Sequence, residues 1–132
     1  MTQEEIDRLA KDWIAYWYAP KDSELRIQLH WATERAFDLP DGDPETLWKL
    51  ILAIHSLDQS PRIDEVLSAG PIEDLLAKHG ELFIDRVEAE ARRDPTFAST
   101  LGGVWKNDMA DEVWERLQAV WDRRDWDGTP KA

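Results

Sequence analysis

Cysteine is absent from the 132 residues, which excludes disulfide scaffolds, thiolate zinc sites and cysteine nucleophiles together. Glycine (6) and proline (7) are scarce, too few for a β-sandwich built on many tight turns. The opening MTQEEIDRLAKDW is charged early and has no apolar signal-peptide stretch. Apolar runs are short and internal, so the sequence predicts no membrane span. Taken together, these absences predict a cytoplasmic protein. Basic residues are outnumbered, 16 Lys and Arg against 28 Asp and Glu, for a net charge of −12. Residues 1–58 and residues 59–132 each carry −6, so the acidity covers the whole chain and is not an acidic tail. Such a field opposes direct binding to nucleic-acid phosphates or anionic lipids and leaves a basic protein as the expected kind of partner.

What is present is enough for a folded core. Hydrophobic residues make up 42% and charged residues 33%, outside the range of disordered chains. A chain of about 150 residues buries roughly 68–70% of its unfolded surface, so one real core is within reach. No stretch alternates apolar and polar residues with β-branched enrichment, and no strand is expected. The fold class predicted is all-α: a compact bundle of six to eight short helices, with HEAT-like helix pairs as the first variant. Residues 1–124 are expected to form a single helical domain and residues 125–132, with Gly128 and Pro130, a frayed tail.

Start and stop signals divide the chain. Thr2-Gln3-Glu4-Glu5 has the form of a capping box, and Ile6, Leu9, Ala10, Trp13, Ile14 and Trp17 follow at helical spacing. Pro20 ends that helix. Asp22 or Ser23 caps the next, whose inner face is Leu25, Leu29, Ala32 and Ala36. Asp38 to Asp43 reads as a loop, after which Asp43 caps and Pro44 opens a third helix. Leu47 to Ile54 is apolar nearly all round, which predicts a central helix. Ser60-Pro61 starts a short helix that Gly70 stops, and Pro71 opens another that Gly80 stops in the left-handed conformation. A stripe from Phe83 to Ala91 follows. Asp94-Pro95 begins a further helix ending at Gly102-Gly103, and Val113, Trp114, Leu117, Val120 and Trp121 mark a last helix over 109–124. The matched spacing of Leu47, Trp48, Ile51 and Ile54 with Val113, Trp114, Leu117 and Val120 does not define a repeat, because amphipathic helices produce such matches freely.

The chemistry-bearing residues mostly have structural explanations. Of eight tryptophans, Trp13, Trp17, Trp48, Trp114 and Trp121 fall on apolar stripes and are expected in the core. Trp31, Trp105 and Trp126 fit those stripes less well and are candidate partner contacts, since exposed indoles are enriched at binding hot spots. His30, His55 and His79 share no ligand spacing, so no metal or cofactor is expected. His79, before Gly80, suits a helix C-terminus. The acids of DLPDGDPE do not follow a calcium-loop pattern. No glycine-rich phosphate loop and no Gly-x-Ser-x-Gly elbow occurs.

Residues 69–80, Ala-Gly-Pro-Ile-Glu-Asp-Leu-Leu-Ala-Lys-His-Gly, are the most distinctive stretch. With Phe83 to Glu88, Asp94-Pro95, Phe97, Leu101, Val104-Trp105 and upstream Pro44-Glu45 and Trp48, they resemble a bacterial family of uncharacterised helical proteins. That resemblance implies a helical domain and no assigned activity. Within the stretch, Gly70-Pro71 predicts a sharp corner between two helices, and Glu73 is placed to accept from free N–H groups of the new helix. Asp74, His79 and Asp85 lack a packing role and are the remaining candidates for a ligand site.

The leading functional expectation is an acidic interaction domain, of the kind that neutralises a basic partner as an immunity or inhibitor protein does. Its competitors are a small ligand-binding or enzymatic domain using Asp74, His79 or Asp85, and a nucleic-acid mimic with ordered carboxylate rows. Oligomeric state does not follow from the residues.

Overall fold

A computed structural model describes residues 1–126. The helices are α1 (Gln3–Tyr18), α2 (Glu24–Gly42), α3 (Pro44–Leu57), α4 (Pro61–Leu67), α5 (Glu73–Arg93), α6 (Pro95–Leu101) and α7 (Asp111–Gln118), with a π-helical turn at Ser68–Ile72. The described residues contain no strand, and the fold is all-α. No helix among them is long and apolar enough to cross a membrane. Two compact units divide the chain between Ile63 and Asp64, within α4.

In the first unit, the capping box at α1 forms as its sequence predicts. Glu5 N–H donates to Thr2 Oγ1 at 3.1 Å and Thr2 N–H to Glu5 Oε1 at 2.9 Å, which satisfies two donors that a helix start leaves free. Ile6, Leu9, Ala10 and Trp13 then bury one stripe. Packed with α1 and α2, α3 buries Leu47, Trp48, Leu50, Ile51, Ala53, Ile54 and His55, the all-round burial expected of a central helix. At the far end of α1, the Tyr18 hydroxyl donates to Asp58 Oδ2 at 2.8 Å. Burial raises the Asp58 carboxyl, but the Ser60 amide and hydroxyl, with Tyr18, outweigh it and hold the group below its usual range.

The expected loop from Asp38 to Asp43 is helix. α2 runs through Pro40 to Gly42, and Asp43 joins it to α3 without a linker. Asp43 N–H closes α2 on Leu39 O at 2.7 Å, while its carboxylate accepts the Thr46 amide at 3.1 Å and the Thr46 hydroxyl at 2.6 Å. One residue thus ends one helix and starts the next. These two bonds hold the Asp43 carboxyl below its ordinary value, and Pro44 occupies the first turn, where its missing N–H costs nothing.

The second unit corrects three further expectations. Gly70-Pro71 makes no break between two helices: the backbone passes from α4 through the π turn into α5 with helical angles at Leu67, Ile72 and Glu73. A wider turn accommodates a proline that cannot donate to the helical ladder. Gly80 is not a left-handed stop. α5 continues past it with a kink at His79 (φ −137°, ψ 31°), and the value of Gly80 is close approach. A Cβ there would lie 2.9 Å from both γ-methyls of Val113 on α7. The last helix is also shorter than 109–124, spanning Asp111–Gln118. Leu75, Leu76, Phe83, Ile84, Val87 and Ala91 of α5, Phe97 and Leu101 of α6, and Val113 and Leu117 of α7 supply the apolar interior of this unit.

Of the five tryptophans assigned to apolar stripes, Trp13 and Trp48 are buried. Trp17, Trp114 and Trp121 are half-buried. Trp114 and Trp121 meet edge to face with centroids 5.2 Å apart, a favoured aromatic geometry.

Candidate functional site

The outer side of α2 departs most from what a folded surface usually shows. Ser23 caps this helix by accepting the Arg26 amide at 3.1 Å, and Ala32, Ala36 and Leu39 bury its inner line. At about 100° per residue, Ile27, Trp31, Glu34, Asp38 and Asp41 fall in one sector of about 80° opposite that line, with His30 and Phe37 at its edge. Ile27 is 72% exposed, Phe37 71% and Trp31 42%. Three large apolar side chains therefore share a solvent-facing helix side with three carboxylates.

Two shallow concavities meet on this helix at His30. One, of about 330 Å³, is lined by Tyr16, Asp22, Ser23, Arg26 and Ile27. The other, of about 370 Å³, is lined by Thr33, Glu34, Phe37 and Asp38. The walls are held by contacts between side chains. The Arg26 guanidinium lies 4.5 Å from the Tyr16 ring centroid and 5.6 Å from that of Trp17, within cation–π range. His30 Nδ1 is 3.1 Å from Glu34 Oε1, and its ring is 5.9 Å from Tyr16.

The polar candidates of the distinctive stretch do not line one shared concavity. His79, at the kink, lines a concavity of about 310 Å³ with Leu76, Lys78, Glu81, Leu82 and Val113; Asp74 and Asp85 do not line it. Asp85 pairs with Arg116, which also holds Glu88 through Nε at 3.0 Å and through Nη2. This tie lowers the Glu88 carboxyl and raises the Arg116 guanidinium. Asp85 therefore helps tie α5 to α7. Asp74 is half-buried in the first turn of α5. Among the described residues, no three His, Cys, Asp or Glu side chains gather to hold a metal ion.

Glu73 does not act as a cap. No side chain caps α5, and Glu73 instead reaches the segment after α6, where it accepts from Asn107 Nδ2 at 2.8 Å. Burial pushes its carboxyl up, the Asn107 bond offsets part of this, and Asp74 and then Asp108 add repulsion. Trp105, two residues before Asn107, is 71% exposed.

Trp126 has the opposite fate. Its Nε1 donates to Ser99 O at 2.6 Å, and its ring covers Gly102 and Gly103, where any Cβ would collide with it. Asp125 accepts from the Ser99 hydroxyl at 3.1 Å. Asp125 and Trp126, read as the start of a tail, make defined contacts; the rest of that tail, from 127, lies outside the described residues.

Phe37 and Asn107 were not among the sequence candidates, and Glu73 was expected only as an acceptor for the start of α5. Phe37 was legible as a large apolar residue off the Ala32–Ala36 line. The Glu73–Asn107 bond joins positions far apart in sequence and had no local signal.

The class these features define is an all-helical protein with an exposed apolar and acidic helix face. The chain belongs to a family of unknown function (DUF6869), whose model matches residues 19–125. That match takes in α2, Glu73 and Trp105. No curated protein and no solved structure matches the chain.

Proposed function

We propose that this chain is a cytoplasmic protein-interaction domain that docks a basic partner protein on the outer face of α2, in the manner of an immunity or inhibitor protein. The observation that carries the reading is the joint exposure of Ile27, Trp31 and Phe37 on the side of α2 that also bears Glu34, Asp38 and Asp41. Exposed large side chains supply desolvation energy at an interface. The interleaved carboxylates set which surface they accept and speed encounter with a basic one, an effect that salt screens.

The test is affinity capture with wild type and two variants whose far-ultraviolet circular dichroism is unchanged. Ile27→Ser/Trp31→Ser/Phe37→Ser removes the apolar anchors; Glu34→Gln/Asp38→Asn/Asp41→Asn removes the charge. The expected result is a basic protein retained by wild type at low salt and lost from both variants. Retention by both variants, or no protein specific to wild type, overturns the reading.

A further inference from the structure

The loop between α6 and α7 shows an exposed indole on a fixed backbone. Val104 and Met109 are buried at either end, at 1% and 3% exposure. Between them the chain is held at three points. Glu73 takes the Asn107 side chain at 2.8 Å. Lys106 pairs with Asp111 at the start of α7. Met109 N–H closes a turn on Lys106 O at 2.8 Å. Asn107 adopts a positive φ of 39°, a conformation asparagine tolerates better than most residues. Such restraint leaves little backbone entropy to lose on binding. Yet the side chain it displays, Trp105, is left 71% exposed.

The charge beside the indole narrows the occupant. Asp108 follows in the same loop, and Asp74 lies close enough to Glu73 to repel its charge, as Asp108 does. An apolar partner surface would gain nothing from this negative charge. A lysine would match their charge but not the ring face. Arginine matches both, because its planar guanidinium stacks on an indole and donates to carboxylates at the same time.

We infer that the Trp105 loop is a second docking surface, which takes an arginine side chain of the basic partner against the indole, and that Glu73 is the positioning residue that holds the loop for it. This rests on the interaction reading above but on different residues.

The experiment uses the whole chain labelled with 5-fluorotryptophan, with the Trp105 and Trp31 resonances assigned by Trp105→Phe and Trp31→Phe. Oligoarginine and oligolysine peptides of equal length are the probes. The expected result is a Trp105 shift with oligoarginine that exceeds the shift with oligolysine. That difference is lost in Glu73→Ala and kept in Glu73→Gln, whose amide oxygen still accepts from Asn107. Equal shifts with the two peptides, or no Trp105 shift, overturn the arginine site even if Glu73→Ala fails to fold. An undiminished difference in Glu73→Ala overturns the positioning role. The Trp31 resonance reports α2 in the same spectrum, so failure at Trp105 with movement at Trp31 removes this inference alone.

Discussion

Gly80 on α5 lies against Val113 on α7 so closely that a Cβ on the glycine would sit 2.9 Å from both valine γ-methyls. Because both methyls are equally near, rotating the stiff β-branched side chain only exchanges one clash for the other. Gly80→Ala should therefore destabilise the protein by about 1–3 kcal/mol through overpacking, although alanine is the better helix former by about 1 kcal/mol. Urea denaturation measures this, with Val113→Ala as the partner variant. The double variant should be more stable than the sum of the single effects; strict additivity would contradict the contact.

Trp126 provides a second test of packing. Removing its ring and its bond to Ser99 O by Trp126→Ala should cost about 1–3 kcal/mol. Gly103→Ala, which crowds the same ring, should lose part of its effect in the Trp126→Ala background. Gly102→Ala should keep its effect, since its Cβ would also meet the Asp122 carbonyl. Thermal unfolding of the set separates the cases. A Trp126→Ala variant as stable as wild type would count against a docked indole.

Two glutamates of α5 should give opposite dependences on pH. Glu88 is lowered by its bonds to Arg116, so its contribution is present above the ordinary glutamate value and is lost as pH falls through the lowered one. Glu73 is raised by burial, so its contribution is present below the ordinary value and is lost as pH rises through the raised one. Glu88→Gln should flatten the loss of stability on acidification. Glu73→Gln should remove a penalty at neutral pH while keeping the loop bond. Chemical denaturation across pH checks both; the same sign of change for the two variants would refute the assignment.

The surface variants bear on function with little effect on folding. Ile27 and Phe37 are more than two-thirds exposed, so replacing either by serine should alter stability by no more than about 0.5 kcal/mol, while replacing Trp31, 42% exposed, should cost about 1 kcal/mol. A larger loss in any one, measured by urea denaturation, would assign that side chain to packing and withdraw it from the docking face.

The helical class was legible because its signals are local. Thr2 with Glu5, Asp43 with Pro44, and Asp94 with Pro95 each place a start within a few residues. The central position of α3 followed from its all-round apolarity. What was hidden depended on distant partners. Pro40 suggested an end to α2, yet Asp43 closes the helix beyond it. Gly80 carried the composition of a stop, and only Val113 reveals it as a contact. Trp31 and Trp105 were separable from the core tryptophans by pattern. Trp126 was set apart with them, but the glycines and Ser99 that receive it lie more than twenty residues away and gave no local signal.

Site-directed photo-cross-linking tests the docking face most directly. A photoreactive benzoylphenylalanine is placed at Phe37, at Trp31 and, as a control, at the exposed Lys11 of α1, and cells expressing each variant are irradiated. The account predicts one basic protein cross-linked from positions 37 and 31, absent from position 11, and lost when Glu34, Asp38 and Asp41 are neutralised. Cross-linking that is equal from position 11, or absent from 31 and 37, would contradict it.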